Sequence, residues 1–330
     1  AVTKVQAVTK VQAVTKYPLF LYMHGSGDKN QEWETGIGLS LRRFYSPGIY
    51  FVPQIPNTGD YYRWAIQSKQ WAWEKLLRLA FLTEEVDANK IYFFGISEGA
   101  YGSQRLASFY ADYIAFSLRT GALDDGFYRN KLTQKALDVA DSLEKEHPGY
   151  YKHFIEVIPG DGHSIDYRPT TPWLAQYSRD AHPDYFFWEN YDMYGRKREG
   201  FYNIRITQKS LLDSDKGRAC YEMTREGNTI NLNIKRVLYS TVNAPSGIEI
   251  DFTRKYSSIT RGKVRLYLNE QEYDLTQPVK VVLNGEEIFS GLVRPDLKTM
   301  VESCAFFFDP ERVFPAAIDI DLKTRSALPT

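Results

Sequence analysis

Histidine and cysteine are scarce in this chain. Of its 330 residues, five are His and two are Cys, namely Cys220 and Cys304, both in the last third. Two such cysteines either pair or stay free, and they decide no redox compartment. An excess of charge is absent as well: 41 Lys and Arg face 41 Asp and Glu, a formal net charge of zero. With no basic stripe, nucleic acid is not an expected partner. No apolar run reaches the roughly 20 residues of a membrane-spanning helix, so no membrane span is expected. Metal ligands are thin too. Asp161-Gly162-His163 with Asp166 has suitable residue types, but one histidine is poor support for a metal centre. Asp213-Ser214-Asp215-Lys216-Gly217 is a fragment of a calcium-loop pattern and reads better as a polar turn.

What the chain does have is aromatic and apolar bulk. It is 43% hydrophobic and 15% aromatic, with 24 Tyr and 6 Trp, enough for a sizeable core. Such richness suits sugar or aromatic-ester binding surfaces and equally suits plain packing. The length predicts two domains or one large one. Residues 1–16 read Ala-Val-Thr-Lys-Val-Gln twice and then Ala-Val-Thr-Lys. A perfect hexapeptide repeat beside a non-repetitive domain is read as an artefact or a placeholder and not as part of the fold.

From Tyr17 the pattern alternates strand and helix. Pro18 to Met23 is an apolar strand, and Tyr50 to Gln54 is another. Trp64 to Leu82 is a helix with Trp73, Leu76, Leu77 and Ala80 on one face. Lys90 to Phe94 is a buried strand. It runs into Gly95-Ile96-Ser97-Glu98-Gly99, and a helix over 98–113 follows. Strand, G-x-S-x-G, helix is the context of a nucleophile elbow. A serine on so sharp a turn is held in a strained backbone, and glycines at 95 and 99 leave room for strand and helix to approach. The hydroxyl then stands at the carboxyl end of the sheet, beside the N–H groups that open the new helix.

Three further stretches complete the chemistry. His24-Gly25-Ser26-Gly27-Asp28 follows the first strand, and its backbone N–H groups can face an oxyanion. The expected donors are the N–H of Ser26 or Gly27 and that of Glu98. Ile114 to Arg119 is a strand, and the loop beyond it carries Asp124, with Asp125 as the alternative triad acid. A helix over 132–146 leads to the strand Tyr151–Ile158. Pro159-Gly160-Asp161-Gly162-His163 then puts His163 on a small-residue loop, where its imidazole can reach Ser97 as general base. The order Ser, Asp, His supports the assignment. Of the other histidines, His24 belongs to the oxyanion loop and His153 to a strand. His147 and His182 precede prolines and read as exposed turn residues.

Residues 166–205 are rich in Pro, Tyr and Trp and are expected to glue two domains together or to cover the active site. From Phe201 the period changes to two. Strands are predicted over 201–206, 229–237, 248–252, 263–268, 279–283 and 287–292, with Asn284-Gly285 as a hairpin turn and no long helix before residue 295.

His24-Gly25-Ser26-Gly27, Gly95-Ile96-Ser97-Glu98-Gly99, Asp124 and His163 resemble the α/β-hydrolase set. More narrowly, they resemble secreted bacterial esterases similar to polyhydroxybutyrate depolymerases and to feruloyl or acetylxylan esterases. The resemblance covers about residues 17–200. The tail, with Asn284-Gly285 and Phe307-Phe308-Asp309-Pro310-Glu311-Arg312, is more loosely similar to the β-rich C-terminal extension of some bacterial hydrolases. The resemblance implies an α/β fold over 17–200, a mostly parallel sheet flanked by helices, and a smaller all-β, sandwich-like domain over 201–330. It implies the triad Ser97, Asp124 and His163, no metal or organic cofactor, and a secreted or periplasmic protein, although no signal peptide is visible in this sequence. The expected substrate is a carboxylic ester, small or linked to a plant polysaccharide. A prolyl-oligopeptidase-type peptidase and a non-catalytic glycan-binding protein are the rival readings.

One departure stands out. Ser97 and Asp124 are only 27 positions apart, and helix runs straight into strand at Asp112-Tyr113-Ile114. The family places a further strand and loop there, so a segment bordering the site is expected to be missing near 113–116.

Overall fold

The computed structural model describes residues 15–44, 46–55, 64–112, 116–150, 152–212 and 215–330. Most of the hexapeptide repeat and the core of the expected break at 113–116 lie outside the described residues.

The apolar strand β1 (Tyr17–Met23) is central to a three-stranded parallel sheet, between β2 (Ile49–Phe51) and β3 (Val86–Gly95). Side chains alternate across a strand, so β1 and β3 feed two cores at once. Leu19, Leu21, Met23, Ile91 and Phe93 pack with Trp73, Leu77 and Ala80 of α2 (Gln67–Phe81) and Leu106 and Ala107 of α3 (Glu98–Phe109). Phe20, Tyr22, Tyr92 and Phe94 point the other way, onto Phe44 and Leu174. Both faces of the sheet are therefore apolar, and the strands read as continuous hydrophobic runs. The helix α1 (Lys29–Arg42) was not foreseen. It is capped by Asp28, whose Oδ1 accepts from the Asn30 and Gln31 N–H groups at 3.0 Å each, but Gly36 and Gly38 dilute its apolar pattern.

A second, two-stranded parallel sheet joins β4 (Phe116–Gly121) to β5 (His153–Ile158), with α4 (Arg129–Glu146) between them in sequence. Among the described residues there is no long parallel sheet flanked by helices. Among the described residues, parallel pairing in this half is confined to these two small sheets, and no pairing joins them. The described structure is mostly β, 35% strand against 26% helix, and its larger sheets are antiparallel or mixed. Alternation of strand and helix implies parallel neighbours only where the strands share one sheet, and local sequence does not encode that sharing.

Beyond α5 (Thr170–Leu174), a six-stranded sheet is built from β6 (Tyr185–Asn190), β9 (Arg218–Glu226), β10 (Thr229–Asn243), β11 (Glu249–Ser258), β13 (Val279–Leu283) and β14 (Glu286–Gly291). All its pairings are antiparallel except β10 with β13. A five-stranded antiparallel sheet takes β7 (Gly200–Phe201), β8 (Ile204–Gln208), β12 (Lys263–Leu268), β15 (Ala316–Asp321) and β16 (Ser326–Pro329). The two sheets share one core, with Phe186, Trp188, Tyr221 and Ile230 from the first and Ile204, Leu266 and Ile318 from the second. This half is not all-β: α6 (Leu297–Phe307), capped by Asp296, packs on β15. The turn Asn284-Gly285 has φ of 48° and 84°, the left-handed pair that a tight hairpin needs.

The aromatic stretch before residue 200 serves both halves. β6 lies N-terminal to the expected boundary yet pairs with β9, while Tyr191 and Met193 pack on the core around α2 and α3. His147 and His182 are not exposed turn residues. His147 stacks on Tyr185 with ring centroids 3.6 Å apart. His182 lies 3.2 Å from Glu272 and 3.3 Å from Asn269. A proline after each histidine marks a turn but does not say what packs on it. Cys220 is buried and Cys304 exposed, and both are free thiols. Burial pushes the Cys220 thiol up to about 12, with Glu189 and Glu222 adding to the shift.

Candidate active site

β3 ends at Gly95 and α3 begins at Glu98, with Ser97 in the turn at φ 53° and ψ −116°. That left-handed φ is costly for a residue with a Cβ and persists only where the surroundings enforce it. Here they do. A Cβ on Gly99 would overlap the carbonyl oxygen of Met23 and come within 2.8 Å of the carbonyl oxygen of His24. A Cβ on Gly95 would lie 2.5 Å from the Gly99 carbonyl carbon. Strand β1, the elbow and the first turn of α3 thus touch backbone to backbone. Gly99→Ala is expected to cost at least the upper end of the about 1–3 kcal/mol typical of overpacking. Gly38→Ala is the control, because nothing lies within 4 Å of its Cβ position, and removing a helical glycine should stabilise by about 0.5–1 kcal/mol. Denaturant midpoints of the two variants check this.

The two loops after β4 and β5 are knitted together. The Ala122 N–H donates to Ile158 at 2.8 Å, and the Leu123 N–H donates to Asp161 at 2.9 Å. Parallel pairing puts the ends of both strands on the same edge, so Asp124 and His163 meet. His163 Nδ1 lies 2.8 Å from Asp124 Oδ2, and its Nε2 lies 3.2 Å from Ser97 Oγ. Ser97 Oγ–H donates to Nε2 when the imidazole carries its proton on Nδ1, the tautomer that the Asp124 carboxylate selects. Asp124 is buried and the His163 side chain is 53% exposed. Of the two candidate acids, Asp124 is the one that bonds His163. The Asp125 N–H instead donates to Leu123 at 3.1 Å. Burial alone would raise the Asp124 carboxyl, but hydrogen bonds from His163 and Arg129 and the Arg129 charge outweigh it and hold the group below the usual range.

The His24–Gly27 loop follows β1 and lies against the elbow, since a Cβ on Gly25 would be 3.5 Å from Ser97 Cβ. Ser26 and Gly27 are exposed, and the half-buried Glu98 opens α3 directly after Ser97. The Glu32 carboxylate of α1 presses on this loop, with Oε2 3.3 Å from the Cβ position of Gly25. His24 is fully buried. Its Nδ1–H donates to Gly25 O at 2.9 Å and its Nε2 accepts from the Ile55 N–H at 3.4 Å. Trp64 Nε1–H donates to the His24 carbonyl at 3.1 Å. His24 therefore fixes the loop rather than facing the reacting centre.

No family model matches the chain, and no curated protein matches it. The site has to be read from its own geometry.

Sequence reasoning missed two residues here. Arg129, the first residue of α4, donates from Nη1 to Asp124 Oδ1 at 2.7 Å and from Nε to Tyr101 OH at 2.7 Å. Tyr101 lies one helical turn beyond Ser97 on α3. The only local signal was the four-residue spacing of Ser97 and Tyr101, which puts both on one helix face. Asp161 and Asp166 do not join His163 in a cluster. Asp166 pairs with Arg168 at 2.7 Å, and among the described residues no three His, Cys, Asp or Glu side chains are arranged to hold a metal. Residues 213 and 214 of the calcium-like fragment lie outside the described residues, and Asp215 pairs with Arg261 at 2.6 Å.

Proposed function

We propose that the protein is a serine hydrolase that cleaves carboxylic esters through an acyl-enzyme. The observation that carries this reading is the continuous relay from Ser97 Oγ through His163 to Asp124, with separations of 3.2 and 2.8 Å. Ser97 Oγ attacks the ester carbonyl carbon, and its proton passes to His163 Nε2. The tetrahedral oxyanion forms beside the N–H groups at the start of α3 and in the Ser26–Gly27 loop, which are the expected donors. As the intermediate collapses, the C–O bond to the alcohol breaks and Nε2 returns the proton to the leaving oxygen. Water, deprotonated by the same imidazole, then attacks the acyl carbon; the bond from that carbon to Ser97 Oγ breaks as Nε2 returns the proton to Oγ, and the acid departs. Asp124 holds the Nδ1–H tautomer and stabilises the imidazolium.

The surroundings support an ester on a larger body. His163 is open to solvent, and Leu123, Phe127 and Tyr101 are exposed apolar side chains on the loop and helices next to the triad. An acyl group carried on a polysaccharide can approach such a rim, and secretion suits that substrate. Esters are also the easier target, because an ester carbonyl lacks the resonance stabilisation of an amide and an alkoxide leaves more readily than an unprotonated amide nitrogen.

Hydrolysis of p-nitrophenyl acetate and butyrate by wild type and Ser97→Ala tests the reading, together with fluorophosphonate labelling followed by mass spectrometry. The expected outcome is a label on Ser97 and loss of nearly all turnover in the variant. An unlabelled, inactive wild type would overturn it, and cleavage of dipeptide amides in preference to esters would point to a peptidase.

A further inference from the structure

Arg129 occupies a position that the helix itself disfavours. The N-terminus of a helix carries partial positive charge and stabilises anions, not cations. Yet α4 opens on a guanidinium only 21% exposed. The chain accepts further strain to put it there. Phe127 and Tyr128, neither of them glycine, both have left-handed φ, 53° and 60°. A Cβ on Gly126 would stand 2.6 Å from Arg129 Nη1 and 3.6 Å from Asp124 Oδ1. The Asn130 N–H donates to the Asp124 carbonyl at 3.1 Å, and Asn130 Nδ2 donates to Ala122 at 2.9 Å, so the helix start is tied to the acid's loop. Arg129 then spans from Asp124 to Tyr101, linking the acid's loop to the helix that carries Ser97.

We propose that Arg129 is a positioning residue of the triad: it pins Asp124 Oδ1 so that Oδ2 faces His163, and its charge sets how firmly the carboxylate holds a proton on the imidazole. This rests on the serine-hydrolase reading. The two oxygens of Asp124 divide the work, one for Arg129 and one for His163. Other charged or titratable groups around the pair are Tyr101 and Glu98 on α3, Asp125 beside the acid, and Asp161 on the histidine loop. Asp166 is neutralised by Arg168, and Arg119 donates to its carbonyl. Arg129 is the cation that bonds Asp124 directly.

The test is the pH dependence of fluorophosphonate labelling and of p-nitrophenyl butyrate hydrolysis for wild type, Arg129→Met, Arg129→Lys and Tyr101→Phe. In Arg129→Met the carboxylate is less compensated and holds the imidazolium more firmly. Its acid limb should move to higher pH by about half a unit or more, and kcat should fall roughly 10–100-fold through misplacement of the pair, with KM nearly unchanged. Lysine restores the charge but cannot bridge to both partners, so Arg129→Lys should return the acid limb and recover only part of kcat. Tyr101→Phe keeps the charge and frees one end of the guanidinium. It should lower kcat without moving the limb, and it serves if Arg129→Met does not fold. An acid limb and kcat unchanged in Arg129→Met, or a limb that moves equally in Tyr101→Phe, would overturn the positioning role alone. Wild type unlabelled at every pH would overturn the hydrolase reading and this role with it.

Discussion

Asp124→Asn should lower kcat for ester hydrolysis by about 10⁴-fold, the loss seen when a triad aspartate becomes its amide. The cause is directional. Asp124 Oδ2 accepts from His163 Nδ1 at 2.8 Å, and only a proton on Nδ1 leaves Nε2 free to take the Ser97 proton. An amide NH₂ at that position would donate instead, and the imidazole would turn its Nε2–H toward Ser97. The side chain keeps its size, and an amide oxygen can still accept from Arg129, so the melting temperature should stay within a few degrees. Asp125→Asn, one residue on, should leave kcat within a few-fold, because the structure gives Asp125 no bond to the imidazole. Steady-state kinetics of the two variants beside their melting curves make the comparison. Equal losses in both, or little loss in Asp124→Asn, would remove Asp124 from the triad.

The second large effect falls on stability. Asp112 lies just past the end of α3, is fully buried, and holds two guanidinium groups at once. Arg198 Nη2 donates to its Oδ2 at 2.9 Å, and Arg312 Nη1 to the same oxygen at 2.7 Å. Arg312 is itself fully buried and also donates to the Asp112 carbonyl. Arg179 and Asp309 form a companion pair at 2.6 and 2.7 Å. The Arg312 bonds clasp the C-terminal segment to the residue just past α3, the helix that begins at Glu98. Asp112→Asn keeps the shape and removes the charge, leaving two guanidinium groups without their shared counter-ion. Breaking a buried pair in this way should cost about 3–5 kcal/mol.

The pH dependence of that loss follows from sign. Burial raises the Asp112 carboxyl, but Arg198 and Arg312 outweigh it, and the net shift is downward. A carboxylate lowered in the folded state stabilises above its unfolded value, near pH 4, and that contribution disappears as pH falls through the folded value. The gap between wild type and Asp112→Asn should therefore be full at neutral pH and shrink below about pH 4. Denaturant titrations at pH 7 and pH 3 measure it. Arg312→Met in the Asp112→Asn background should recover part of the loss through coupling of the pair. A gap under 1 kcal/mol at pH 7 would mean that the clasp contributes little.

Much of the candidate site was legible in the chain, for a local reason. Gly95 and Gly99 are glycines because strand β1 leaves no room for a Cβ, and the requirement shows at fixed spacing around Ser97. Asp124 and His163 each follow a strand at short range, so finding two strands nearly locates both. The hairpin at Asn284-Gly285 was readable in the same way, because left-handed φ at two successive residues limits the residue types.

What neighbours in space decide was not legible. The strand–helix alternation of residues 17–158 did not reveal that its strands divide into two small parallel sheets, nor that β6 would pair across the expected boundary. Strand pairing is set by contacts among segments far apart in sequence. Buried ion pairs hide for the same reason: Arg312 and Asp112 are 200 residues apart, and in sequence each looks like an ordinary surface charge. Arg129 lies only five residues from Asp124, yet the expected helix began at residue 132, and only the start of α4 at Arg129 brings the guanidinium onto the acid's loop. By itself, then, the sequence determined the turns, glycines and reactive side chains, because backbone sterics act over a few residues. Only the tertiary structure decided which strands meet and which charges bind, because those choices depend on burial, and burial depends on the whole chain.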